Sequence, residues 1–131
     1  MSDIEKILEY LREGSQGKLD LRWGAFDNIR LQDADLSGID FSNADLKCAY
    51  LKGANLSGAN LSYTDLSGAN LTEANLSNAN LSNATLNFAN FCGACLIGID
   101  VTNAKTFNIM LEMPYCCQSI ITDSDGEMPP Q

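Results

Sequence analysis

Cys92 and Cys95 frame the tetrapeptide CGAC, and Cys116 and Cys117 stand side by side further along the chain. Thiolates spaced C-x-x-C can ligate zinc or form a redox pair, and a structural zinc site commonly draws four ligands from two such pairs. Nothing in the sequence fixes how far Cys92 and Cys95 lie from Cys116 and Cys117, and the chain has no histidine to complete a set. The expectation is therefore no metal and no cofactor. The absence of histidine also removes the commonest general base, so neither a Ser-His-Asp nor a Cys-His arrangement can be assembled. The stretch TDSDGE at 122–127 begins like a calcium loop. It lacks the third acidic ligand before the glycine and the acid at position 12, and it reads as a polar turn.

Composition narrows the field further. The chain has 131 residues, a length suited to one domain. No stretch is long and apolar enough to span a membrane. The opening MSDIEKILEY is acidic and amphipathic, unlike a secretory signal. Five cysteines, an odd number, read as reduced thiols, which together with that opening predicts a cytoplasmic protein. Seventeen acids against eight bases give a net charge of −9, which disfavours direct contact with nucleic acid or an anionic membrane.

The elements that position these residues follow from a five-residue period. Between Leu21 and Val101 every fifth residue is Leu, Phe or Val, giving seventeen consecutive centres; Thr106 and Leu111 keep the register but not the pattern. The residue two before each centre is usually Ala, with Leu19, Gly24, Ile29, Ile39, Thr64 and Ile99 as exceptions. Five residues advance a helix by roughly 140° beyond one full turn, so the centres would smear around its surface. In a straight strand, positions i−2 and i share a face but i+5 lands on the other. The chain must bend within each repeat, and Asn, Asp, Ser and Gly between the centres are the residues that bend it. Bends of about 90° close a square in four repeats. Twenty residues then make one coil, and coils stack about 4.8 Å apart like parallel strands. Seventeen repeats give a little over four coils and a rod roughly 20 Å long, filled by Leu with Ala beside it. A solid convex rod offers no pocket in which a carboxylate could be shielded from water for acid–base work, so an enzyme is not expected.

The units ADLSG, ANLSG, ANLTE and ANLSN resemble those of the pentapeptide-repeat family over roughly residues 19–104. The resemblance implies a right-handed quadrilateral β-helix, an all-β solenoid, and says little about function. The expected organisation is an N-terminal α-helical cap at 1–14, a β-helix at 19–111, and a C-terminal cap with a flexible tail at 112–131. In the cap, Ser2 with Glu5 fits a capping box, Gly14 fits a helix stop, and Ile4, Ile7, Leu8 and Leu11 form one apolar face. The alternative for this helix is a partner-docking or membrane-surface element. The stretch FNIMLEMPYCCQSII at the other end is apolar and off-pattern. We read it as folding over the last coil of a monomer. The alternative, a dimer through the C-terminal end, is what the resemblance implies for family members that mimic DNA.

That mimicry is the second functional reading, since some pentapeptide-repeat proteins resemble B-DNA and bind DNA gyrase. Residues 19–111 carry nine acids and five bases, a net of −4. Duplex DNA of the same length carries roughly twelve charges, at one per about 1.7 Å. From 54 to 99 only Asp65 and Glu73 are charged, and the position before most centres is Asn, suited to turns and amide ladders. The first reading is thus a non-enzymatic interaction module with an unidentified protein partner. The candidate surface is Trp23, Asp45, Tyr63 and Asp65. Trp23, Asn43 and Tyr63 stack in one column at the twenty-residue repeat, and Asp45 and Asp65 form a parallel acidic column past the neighbouring bend. Exposed aromatics beside fixed charge are common at protein contacts. The alternative is that the N-terminal helix covers Trp23 and that Tyr63 is incidental.

Overall fold

Each five-residue unit makes one tight turn and one short straight step. The turn is closed by the carbonyl of the centre, which accepts the N–H three residues on: Gly24 N–H to Leu21 O at 3.1 Å, then every fifth residue to Ala104 N–H and Val101 O at 3.0 Å. The third residue of each turn has φ between 53° and 73° from Trp23 to Asn108. A four-residue turn with positive φ at that place needs Gly or Asn there by preference. The residue before the centre holds the other side of the turn. Asn60 Oδ1 accepts the Ser62 N–H at 3.1 Å and the Ser62 hydroxyl at 2.7 Å. Asp40 with Ser42 and Asn80 with Ser82 repeat the arrangement. The recurring Asn-Leu-Ser is therefore a turn device. Contact along a side-chain column is represented by Asn55 Nδ2 to Asp35 Oδ1 at 3.4 Å, so of the two expected uses of Asn the turn dominates.

The computed structural model describes residues 3–13 and 20–112. Every bridged pair lies twenty residues apart and is parallel, from Asp20 with Asp40 to Asn90 with Met110. Four repeats thus close one square coil of a right-handed quadrilateral β-helix. Adjacent coils exchange backbone bonds in both directions. Leu61 N–H donates forward to Asn80 O at 2.7 Å, and Asn60 N–H donates back to Ile39 O at 2.8 Å. The four walls are named here by their first centres: Leu21, Phe26, Leu31 and Leu36.

The centres fill the axis, and the small residues two before them let the walls approach. Leu36 through Leu81 and both Phe26 and Phe41 are fully buried, each contributing about 1.5–3 kcal/mol of apolar burial. Phe26 and Phe41 meet edge to face at 5.6 Å in the first two coils. The larger ring explains one exception in the sequence. A Cβ at Gly24 would fall on the Phe26 ring, so the position that elsewhere carries Ala must there be smaller. Thr64, another exception, is buried and donates its hydroxyl to Phe41 O at 2.9 Å, which satisfies the group.

Helix α1 spans Asp3–Arg12. Ile7 is fully buried in the solenoid core and Leu11 packs against it. Leu8 is 54% exposed, which corrects its place in the expected apolar face. Ile7 and Leu11 are four apart and share a stripe, whereas Leu8 sits about 100° around the helix from Ile7. Ser2 and Gly14 lie outside the described residues. At the other end the register continues to Met110, with Ile109 and Leu111 buried. Thr106 stands where a large centre would, and it lines an apolar hollow of about 10 Å³ with Leu86, Val101 and Ile109. The expected solid interior is interrupted there by a space no larger than one water needs. Residues 113–131, with the expected cap and tail, Cys116, Cys117 and TDSDGE, lie outside the described residues.

Candidate protein-interaction surface

The outward positions of a square coil are of two kinds: corners, at the third residue of each turn, and wall positions on either side of each centre. Trp23, Asn43, Tyr63, Asn83 and Asn103 occupy one corner column, all with φ between 57° and 63°. The next corner column is Asn28, Cys48, Gly68, Phe88 and Asn108. Between them lies the Phe26 wall, with Ala25, Asp45, Asp65, Thr85 and Lys105 bridged in one line.

Trp23 is 76% exposed and Tyr63 is 62% exposed, so α1 does not cover the tryptophan. Phe88, at 56%, stands on the opposite corner of the same wall. Phe107, at 63%, stands on the wall beside it and meets its ring edge to face at 5.5 Å. The Phe107 backbone is held by its N–H to Asn87 Oδ1 at 3.0 Å and by its carbonyl to the Phe88 N–H at 2.8 Å. The exposed large aromatics among the described residues are these four, and all stand on or at the edges of one wall. The sequence reading had Trp23 and Tyr63 and missed Phe88 and Phe107. The signal was there: modulo twenty, 88 joins the column of Asn28 and 107 the column of Asp27.

The charges on this wall are arranged unevenly. Asp45 Oδ1 accepts the Lys47 N–H at 3.0 Å, and its other oxygen lies 3.6 Å from Lys47 Nζ. One coil on, Ser67 replaces the lysine and donates to Asp65 Oδ1 from its N–H and its hydroxyl, at 3.0 and 2.6 Å. Lys105 continues the Asp45–Asp65 column on the last coil. Around the corner, on the Leu31 wall, the Arg30 guanidinium lies 4.9 Å from the centre of the Tyr50 ring.

Depressed carboxyl groups occur on a different wall. The Arg22 side chain and N–H hold Asp20 down to about 2, and the Thr102 hydroxyl and N–H hold Asp100 below the usual carboxylate range. Neither is enclosed, and both serve turns. Cys92 and Cys95 are half-buried on either side of the Gly93 corner, and Cys92 N–H donates to Asn90 Oδ1 at 3.0 Å. Among the described residues no three Cys, Asp or Glu side chains gather as a metal site would require. No helix among them is long and apolar enough to cross a membrane.

The sequence profile of the pentapeptide repeats matches the chain in eight copies, over residues 26–62 and 69–105. Among solved structures the chain is similar to alr5209, a pentapeptide repeat protein from Nostoc PCC 7120. The identity is 32%, over 85% of this chain and 97% of that one, with a TM-score of 0.62. It is also similar to HetL from Nostoc sp. strain PCC 7120, a pentapeptide repeat protein involved in heterocyst differentiation regulation. That match has 32% identity over 76% of this chain and 50% of HetL, with a TM-score of 0.44. A third, QnrB1, a plasmid-mediated fluoroquinolone resistance protein, matches at 21% identity over 76% of this chain and 68% of that one, with a TM-score of 0.35. No curated protein matches the chain.

Proposed function

This chain belongs to the pentapeptide-repeat family, and from that premise we propose that it works as a non-enzymatic, cytoplasmic scaffold that docks a protein partner on its Phe26 wall. The observation that carries the reading is the gathering of Trp23, Tyr63, Phe88 and Phe107 on one wall out of four. Single exposed apolar residues elsewhere, such as Leu8, Ile97 and Met110, need no explanation, but four exposed aromatics on or at the edges of one wall do. Three of the four also sit at positive φ, a conformation that costs a bulky residue roughly 1–2 kcal/mol relative to glycine. Aromatic side chains held there against the preference of the backbone serve something other than the turn. Charge supports the same choice over nucleic-acid mimicry. The column from Asp45 and Asp65 ends in Thr85 and Lys105, which no phosphate backbone would match.

The test is capture from an extract of the native host on the immobilised full chain. Asn already stands at 43, 83 and 103 in the Tyr63 column, and Asn60 with Ser62 shows that Asn before a centre holds the same turn that Asp65 holds with Ser67, so Tyr63→Asn combined with Asp65→Asn keeps the fold's own devices. It should reduce capture of the partner severalfold while the melting temperature is held or raised. Asp35→Asn, on the opposite wall, should leave capture unchanged. Equal yield from all three proteins would sink the reading.

A further inference from the structure

We propose that the partner presents an arginine to this wall, its guanidinium seated between the Tyr63 ring and the Asp65 carboxylate. The proposal rests on the Phe26 wall being the docking surface. Tyr63 and Asp65 flank one residue, Thr64, which is turned inward and buried, so the ring and the carboxylate both face outward across one corner. Asp45 already has its own cation in Lys47. At Asp65 the equivalent position is Ser67, and among the described residues no cation pairs with this carboxylate. The Ser67 hydroxyl and N–H both bond Oδ1, which fixes the carboxylate and leaves Oδ2 to accept another donor.

The protein uses the same pairing internally. Arg30 and Tyr50 are twenty residues apart in one column, and the guanidinium of the first lies over the ring of the second. In the corner column of Tyr63 the residue one coil before is Asn43, so among the described residues no arginine fills that role. An arginine from outside would supply it. A guanidinium can lie on a ring and bond a carboxylate with its edge at the same time, whereas an ammonium is compact and strongly hydrated. Phe88 and Phe107, one to two coils further on, would lie against apolar residues of the same partner and exclude water from the contact. Lys105 repels a cation at the last coil, so the arginine is directed toward the third coil and the partner's orientation along the rod is set.

The experiment uses the full, isotope-labelled chain and two acetylated, amidated hexapeptides: Gly-Leu-Arg-Leu-Arg-Gly and its lysine counterpart. Titration followed by amide NMR shifts should show the arginine peptide perturbing residues 63–67 and binding at least about fivefold more tightly than the lysine peptide. Tyr63→Asn and Asp65→Asn should each weaken it by about tenfold, and Asp35→Asn should leave it unchanged. Equal affinity for the two peptides, or shifts spread over all four walls, overturns the proposal. If the wall variants still abolish capture from extract while the peptides show no preference, the wall docks a partner without arginine. That outcome removes this inference and leaves the scaffold reading in place. Loss of both effects removes both.

Discussion

The Phe26 wall and the Leu36 wall face each other across the same core and solve the same backbone problem differently. The corners that bound the Leu36 wall are Asp33, Gly53, Glu73 and Gly93 on one side and Gly38, Gly58, Asn78 and Gly98 on the other, five glycines in eight positions. The corners that bound the Phe26 wall hold a single glycine, Gly68, in ten. Both sets have positive φ. On the Leu36 side the residue type agrees with the backbone at every corner but Glu73; on the Phe26 side Trp23, Cys48, Tyr63 and Phe88 oppose it. Sequence and conformation usually agree throughout a natural fold, and disagreement concentrates where function is. The contrast is between corners filled mostly by glycine and corners that carry exposed aromatics, which is the contrast the proposed docking surface rests on.

The core should not distinguish the two walls, and this gives the largest expected effects. Leu66 and Leu76 are both fully buried centres, one on each wall. Leu66→Ala and Leu76→Ala should each lower unfolding free energy by about 2–5 kcal/mol in urea titrations. A large difference between them would mean that one wall packs loosely, and the comparison would have to start from packing instead of from corners.

Glycine substitution comes next. Gly53 and Gly98 have φ of 70° and 73°, and a Cβ there would fall on Asp33 Oδ1 and Asn78 Oδ1 respectively. Gly53→Ala and Gly98→Ala should destabilise by about 1–2 kcal/mol. Gly58 has the same backbone with open space around it, so Gly58→Ala should sit at the low end, about 1 kcal/mol. On the Phe26 side the sign reverses. Tyr63→Asn and Phe88→Asn both place a residue that tolerates left-handed backbone; the first should raise stability by up to about 1 kcal/mol, and the second, which gives up the edge-to-face contact with Phe107, should leave it nearly unchanged. If these variants are destabilised instead, the aromatic rings contribute packing to the fold and the functional reading of their strain fails.

The smallest expected effect is on acid tolerance and belongs to neither wall. Asp20 and Asp100 both stand on the Leu21 wall with depressed carboxyl groups, Asp20 held at about 2. A depressed carboxyl stabilises the fold fully above its ordinary value near 3.9 and loses that contribution as pH falls toward its folded value. Stability should therefore decline slightly from about pH 4 to about pH 2. In Asp20→Asn the decline should be shallower, as measured by thermal melts across that range. Asp20 is exposed and its contribution is screened by solvent and salt. A wild-type curve that is flat over this range would show that the Asp20–Arg22 contact is too transient in solution to matter.

Most of the fold was legible because its determinants are local and periodic. A five-residue spacing of Leu61, Leu66 and Leu71 with Ala or Thr two before each is incompatible with a helix or a straight strand. The twenty-residue column that places Asp45 over Asp65 follows from closing a square. Half of the candidate wall was legible by the same arithmetic, through Trp23 and Tyr63. Phe88 and Phe107 were open to it too, but only once walls are compared as two-sided objects instead of as single columns.

By itself the sequence determined the coil, its period, which side chains point inward, and which outward columns carry charge, since each of these depends on neighbours five or twenty residues away. Tertiary structure alone decided how the elements meet. It turned Ile7 into the core and left Leu8 in solvent, because the helix offers only one stripe to the coil it covers. It gave the Phe26 ring the space of the Cβ missing at Gly24. It laid Arg30 over Tyr50 and left Tyr63 bare, and it brought Phe88 against Phe107. Those outcomes depend on side-chain volume and direction at contacts between different coils, which a periodic pattern repeats but does not specify.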